Sequence, residues 1–262
     1  MTPTPPAVPR RPPERPFTLA MTWHDLLFIH RPVDPGILRA LVPPALEIDE
    51  RDGAAWVGVV PFRMTGVRLR CAPRIPFASR FAELNVRTYV RAGGRAGVYF
   101  FSLDAASRLA VRAARLSFRL PYFDARMSVA EAHGGWIAYR SARTHRGAKP
   151  AEFFARYRPL GEAAPAAPGS LEEWLTSRYA LFTISRRGEA LRGDVDHEPF
   201  ALQPAEARIE TETMCAASGL PPAAGEPHLV FARRADVRAW SLVEARSVTA
   251  LAERDGDTRR GN

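Results

Sequence analysis

The stretch that most constrains this chain is Glu83-Leu84-Asn85-Val86-Arg87-Thr88-Tyr89-Val90, whose residues sort completely at a period of two. Leu84, Val86, Thr88 and Val90 make one face. Glu83, Asn85, Arg87 and Tyr89 make the other, each able to hydrogen-bond. A strand places alternate side chains on opposite sides, so the polar set is either the solvated face of an antiparallel sheet or the lining of a cavity.

Strand signals recur along the chain. Residues 19–32 set His24, Leu26, Phe28 and His30 on one face and Trp23, Asp25, Leu27 and Ile29 on the other. Apolar groups on both sides predict a strand buried on both faces. Asp34-Pro35 predicts the start of a short helix carrying Ile37, Leu38 and Leu41. Asp52-Gly53 predicts a hairpin turn between 46–48 and 55–64, and Gly93-Gly94 a second one between the 83–90 strand and 98–103. Asp104 reads as the N-cap of a helix from Ala105 to about Phe118. On it Arg108, Arg112, Arg115 and Arg119 share one stripe, which is a solvated face or an anion site. Further strands are expected at 122–129, 136–140, 153–160, 179–186, 190–195, 200–209, 229–231 and 237–242. Strands outnumber helices and most are joined by short turns. That predicts a mainly β chain with some α, an antiparallel sheet curled around an interior with peripheral helices.

Composition narrows the function. A chain of 262 residues with 46% hydrophobic content has enough apolar material for one domain with a full core. Residues 18–245 are read as that domain, 1–17 as a disordered proline- and arginine-rich lead and 246–262 as a polar tail. The formal charge of +9 rests on arginine, with Lys149 the sole lysine, and the basic residues are scattered. A nucleic-acid partner is therefore not expected. The lead has no apolar run of the secretory type, and nothing approaches the roughly 18 apolar residues of a membrane helix, so no membrane partner is expected either. Cys71 and Cys215 lie far apart and match no metal or disulfide pattern, which fits the cytoplasm. Phosphate-binding loops, dinucleotide fingerprints, zinc-protease and serine-hydrolase motifs are missing. His24 and His30 are about 20 Å apart along an extended strand, too far to share a metal. Asp194, Asp196, His197 and Glu198 offer metal ligands or a merely solvated acidic corner. No metal site or cofactor is assigned.

Several blocks in order resemble a known family: residues 23–30 (WHDLLFIH), 56–62 (WVGVVPF), 83–90 (ELNVRTYV), 102–105 (SLDA), Pro121-Tyr122, Ser177-Arg178-Tyr179 and 197–202 (HEPFAL). They are similar to the YqjF-like family, catalogued as a domain of unknown function, over about 18–242. That family is similar to the acetoacetate decarboxylase superfamily. The resemblance implies a curled, cone-like β-barrel with helices around it and a ligand cavity inside, and its relatives' assembly implies self-association of unspecified number. Decarboxylating relatives form a Schiff base through a lysine of depressed pKa, set in a Gly-Phe-Pro-Lys-Lys stretch after a helix. This chain has Arg119-Leu120-Pro121-Tyr122-Phe123 there, so Tyr122 or Phe123 holds the lysine's place. Neither forms an imine, and Lys149 sits in a loop-like Arg-Gly-Ala-Lys-Pro context. The resemblance also makes Glu83 the counterpart of the superfamily's cavity glutamate.

The expectation is thus a small-molecule-binding protein whose cavity is lined by Glu83, Asn85, Arg87 and Tyr89, with Tyr122 near its mouth and a carboxylate or enolate as ligand on Arg87. Any catalysis would use Glu83 as acid or base, with Tyr122 or His30 as proton donor, in lyase- or isomerase-like enol chemistry without a covalent lysine intermediate. The rival is a non-enzymatic structural or interaction module in which Glu83 and Arg87 merely satisfy one another and their neighbours inside a closed barrel.

Overall fold

The structure, a computed structural model, describes residues 10–71, 79–222 and 225–245. Its strands are β1 (Leu19–Val33), β2 (Glu47–Ile48), β3 (Ala55–Leu69), β4 (Phe81–Ala92), β5 (Arg95–Ala105), β6 (Tyr122–Glu131), β7 (Ile137–Arg143), β8 (Glu152–Pro159), β9 (Ala164–Pro165), β10 (Ala180–Ile184), β11 (Ala190–Asp196), β12 (Ala201–Glu212), β13 (His228–Ala239) and β14 (Val243–Glu244). Four short helices accompany them: α1 (Pro35–Arg39), α2 (Arg108–Phe118), α3 (Leu171–Thr176) and α4 (Met214–Ala217).

The strands form one sheet curled into a ring. Because β4 pairs with β5 and β11 with β13, hydrogen bonds run in a closed circuit through β5, β10, β11, β13, β1, β3 and β4. A second path from β5 to β13 goes through β6, β7, β8 and β12. The two paths share β1, β3 and β4, so these three strands have an interior on each side. On one side Leu27, Ile29, Val57, Val59, Leu84 and Val86 belong to the main apolar core, together with Tyr139, Phe153 and Tyr157 of β7 and β8. On the other, Leu26, Phe28, Val60, Phe62 and Met64 form a second apolar cluster that lines a cavity. Period-two alternation thus sorts residues between two interiors, with no solvated face.

Four local expectations are corrected. Asp104 does not cap α2: β5 stays paired with β4 through Ala105, so Asp104 is still in the sheet, and Ser107 accepts from the Ala110 amide instead. Asp104 takes a bidentate bond from Arg143 at 2.8 and 2.7 Å. Residues 229–231 and 237–242 are not two strands, because β13 runs unbroken from His228 to Ala239. Its polar middle is satisfied in place, Arg233 by Asp25 and Arg234 by Asp236. The sheet is not wholly antiparallel, since β5 runs parallel to β6 and to β10. A parallel partner needs a crossover, which the α2 segment supplies between β5 and β6. Residues 10–17, placed in a disordered lead, lie against the sheet. Arg15 bonds Asp194 and Ser241, and its carbonyl accepts from the Trp240 indole at 2.6 Å. Residues 1–9 of the expected lead and 246–262 of the expected tail lie outside the described residues, as do 72–78.

The β5–β10 junction depends on a glycine. A Cβ on Gly97 would stand 2.4 Å from the Ala180 carbonyl oxygen and 2.8 Å from the Phe182 ring. Backbone cannot yield as a flexible side chain does, so overpacking is costly. Gly97→Ala is expected to lower stability by about 1–3 kcal/mol, read as a lower urea midpoint, and an unchanged midpoint would refute this close approach.

Candidate functional site

The cavity lies inside the circuit that contains β10 and β11 and has a volume of about 480 Å³. That is within the range of pockets that hold small organic ligands. Its walls are mainly apolar, and α2 contributes Ala110, Ala113, Ala114 and Phe118. Within the helix Val111 is the buried residue, while Leu109 and Leu116 are 62% and 83% exposed. The arginine stripe faces outward: Arg112 pairs with Asp124 at 3.0 Å, and Arg115 donates to the Tyr122 carbonyl at 2.5 Å. Arg119 closes the helix in a left-handed conformation.

Glu83, Asn85 and Arg87 all line the cavity, side by side on the inner face of β4. Their neighbours on β3 are Phe62, Val60 and Gly58. Gly58 matters because a Cβ there would come within 3.0 Å of the His30 ring and 3.5 Å of the Arg87 side chain. Tyr122 also lines the cavity and donates its hydroxyl to Glu83 Oε2 at 2.9 Å. Phe123, one residue on, turns away and packs its ring under Arg143. Of the two residues at the lysine's place, Tyr122 is therefore the one on the cavity wall. Lys149 is exposed between β7 and β8, so the cavity has no lysine.

Tyr89 and His30 stand behind the lining. The Tyr89 hydroxyl is 2.7 Å from His30 Nε2, and its ring packs on Trp174 of α3. Arg178 lines the cavity. It is 6% exposed, pairs with Asp49 at 2.5 Å, donates to the Trp174 carbonyl at 2.7 Å and lies over the Trp174 ring.

Arg87 is different. It is half-buried beside the Phe28 and Tyr89 rings, with its nearest polar partner the Tyr89 hydroxyl at 3.5 Å. It has no ion-pair partner among the described residues, and Glu83, four residues back on the same strand face, is bonded to Tyr122. Arg87 Nε, Arg178 Nη2 and Asn85 Oδ1 are buried without a hydrogen-bond partner among the described residues. Such groups cost about 1–3 kcal/mol each when left unsatisfied, which marks this wall as built for polar contact.

Burial pushes the Glu83 carboxyl up to about 8, against the hydrogen bond from Tyr122 and with help from nearby Asp104. The Tyr122 phenol is raised well above its ordinary value by burial and by Glu83. His30 is held well below the usual imidazole range by burial and by Arg87. Near neutrality the cavity therefore presents a carboxylic acid, a phenol and the Arg87 cation, with Arg178 neutralised by Asp49.

His197 is the site residue the sequence left without a role. It was visible between two acids, but only as part of a metal or solvated corner. In the fold its ring is buried and lines the cavity, while the acids turn away to arginines: Asp196 to Arg10, and Asp194 to Arg15, Arg95 and Arg192. Among the described residues no cluster is arranged to hold a metal ion, and no helix is long and apolar enough to cross a membrane.

The curled sheet is similar to the acetoacetate decarboxylase-like fold of several solved structures. Acetoacetate decarboxylase from Legionella pneumophila superposes with a TM-score of 0.59 at 15% identity, over 90% of this chain and 91% of that one. The enduracididine biosynthesis enzyme MppR complexed with pyruvate gives 0.58 at 12%, over 88% and 91%. An acetoacetate decarboxylase-like enzyme from Sphingomonas wittichii RW1 gives 0.56 at 16%, over 88% and 95%. The chain itself belongs to the DUF2071 family, described as an uncharacterized conserved protein, whose model matches residues 20–236. It is 46% identical to the uncharacterized protein YqjF of Bacillus subtilis over 226 residues, 86% of this chain and 92% of that protein.

The Glu83 carboxyl gives a stability signature. Between its ordinary 4.5 and about 8 the unfolded chain has lost the proton that the native state keeps. Native protein then binds more protons than unfolded, so this group's contribution falls as pH rises through that window, by at most about 1.4 kcal/mol per pH unit. Glu83→Gln, always neutral, lacks this loss. Urea unfolding at pH 5, 7 and 9 is expected to show the variant gaining on the wild type as pH rises, and parallel pH profiles would refute a neutral Glu83.

Proposed function

We propose that the protein binds a small molecule with a carboxylate head and an apolar body, the head held by Arg87 and the body packed among Leu26, Phe28, Val60, Phe62, Met64 and Phe200. The observation that carries this is Arg87 itself, a guanidinium on a cavity wall, beside aromatic rings, with no carboxylate partner among the described residues. A fork of donors in a partly desolvated site matches a carboxylate, and the low dielectric strengthens the pairing. Asn85 and the free Arg178 nitrogen are further polar contacts for the same head. The neighbour MppR is complexed with pyruvate, a small carboxylate, which accords with this reading.

Schiff-base decarboxylation is not part of the proposal. An imine needs a primary amine at the ligand, and this wall offers a phenol at Tyr122. What the pair Glu83 and Tyr122 can do is deliver and recover a proton, which suits enol-type chemistry on a ligand anchored at Arg87. The non-enzymatic alternative has Glu83 satisfied by its neighbour Tyr122, whereas Arg87, with the Tyr89 hydroxyl at 3.5 Å as its nearest polar contact, favours the ligand reading.

The test compares 3-phenylpropanoate with its uncharged amide by thermal shift. At about 100 times its dissociation constant a ligand adds roughly 2.7 kcal/mol, which is roughly 5 °C or more for a domain of this size. The carboxylate is expected to give that shift, the amide little, and Arg87→Ala with its fold intact none. Equal shifts for acid and amide, or a shift surviving in Arg87→Ala, would refute the carboxylate site.

A further inference from the structure

We propose that His197 is a hydrogen-bond acceptor in the cavity that holds Arg87, and that the ligand therefore carries a hydroxyl next to its carboxylate: a 2-hydroxy acid in preference to a plain acid. This rests on the reading of the cavity as a carboxylate site.

The geometry fixes what His197 can offer. Its Nδ1 is 2.7 Å from the Glu198 carbonyl oxygen. A carbonyl only accepts, so the ring proton sits on Nδ1 and Nε2 keeps its lone pair. Nε2 has no protein partner among the described residues, and the ring lines the cavity. Three aromatic rings hold the imidazole in place: Phe200 at 4.3 Å, Tyr179 at 5.1 Å and Trp23 at 6.1 Å between centroids. The backbone corner on which it stands is clamped from outside. Arg10 reaches Asp196 at 2.5 Å and Glu198 at 2.6 Å, gripping the residues on either side. Burial lowers the His197 pKa, and Arg87 is near enough to lower it further, so the ring is neutral at pH 7.

Complementarity then sets the ligand. Arg87 and Arg178 present donors, and the Tyr122 hydroxyl is already donated to Glu83. A molecule whose carboxylate lies on Arg87 meets at His197 a lone pair on an immobilised ring. A hydroxyl on the adjacent carbon supplies the missing donor, whereas a ketone oxygen there would face Nε2 with lone pair against lone pair. A methylene at that carbon leaves the imidazole unsatisfied, which is the usual source of discrimination by buried polar groups.

The experiment measures dissociation constants by calorimetry at pH 7.5 for 3-phenylpropanoate, both enantiomers of 3-phenyllactate and phenylpyruvate, with the full chain. One enantiomer of the hydroxy acid is expected to bind about three- to tenfold more tightly than 3-phenylpropanoate, the worth of one net hydrogen bond. His197→Asn keeps an N–H for the Glu198 carbonyl but removes Nε2. In it the ratio of the hydroxy-acid affinity to that of 3-phenylpropanoate should fall to about one. His197→Gln, whose amide oxygen can stand where Nε2 stands, should keep part of the advantage. Where His197→Asn does not fold, the same ratio in His197→Phe decides. Equal affinities in the wild type, an advantage that survives in His197→Asn, or tighter binding of phenylpyruvate than of either hydroxy acid overturns the inference alone and leaves the carboxylate site standing. Failure of all four compounds to bind overturns both.

Discussion

Three strands buried on both faces set the terms for everything else in this molecule. In β1, β3 and β4 each residue is committed to one of two interiors, and a shift of one position would exchange them. Leu84 and Val86 go to the main core, where both are fully buried, while Glu83, Asn85 and Arg87 go to the cavity. Burying three polar side chains on one strand opposes folding. What allows it is the other face, where large apolar groups fully removed from water each contribute about 1.5–3 kcal/mol. Core and site are thus two sides of the same strands, and the core's stability is what holds the site's strain.

The places where this wall bends are held by buried polar groups. β1 changes register between His24 and Ile29, and Asp25 there adopts a left-handed conformation with φ 53°. Its carboxylate is gripped by Arg63 and Arg233, and its carbonyl accepts from the buried Tyr157 hydroxyl at 2.9 Å. The Tyr139 hydroxyl similarly serves the Glu83 carbonyl at 2.7 Å. Two tyrosines of the outer path, on β8 and β7, thereby fix the backbone of strands whose other face is the cavity. The fully buried Arg143–Asp104 pair ties β7 to β5 in the same way. Such pairs add little net stability over apolar replacements, but removing one partner leaves a charge stranded, typically at about 3–5 kcal/mol. Their positions at junctions between the two paths suit a role in fixing geometry.

The strand pattern and the family blocks made the fold class legible, and the alternation at 83–90 brought Glu83, Asn85 and Arg87 to one face. Local signals failed where pairing outranked them. Asp104 before a helical run reads as a cap, but ladder bonds to β4 hold it in the sheet. Arg233-Arg234 reads as a break, but ion pairs absorb both charges within one strand. Tyr89 shares the parity of the lining residues, yet it packs against Trp174 of α3 and His30 behind the lining. No spacing in the chain announces a contact between residues so far apart.

The sequence by itself determined which side chains share a strand face and that the chain has enough apolar residues for a full core. These follow from period-two geometry and residue chemistry, which need no partner to be read. Only the tertiary structure decided that Glu83 bonds Tyr122 and not Arg87, that Arg87 meets no carboxylate among the described residues, and that His197 turns inward while Asp194 and Asp196 turn to arginines. Those outcomes depend on burial and on which charges arrive from distant strands. A side chain's protonation state and free valences are properties of its surroundings, and the surroundings exist only when the ring of strands has closed.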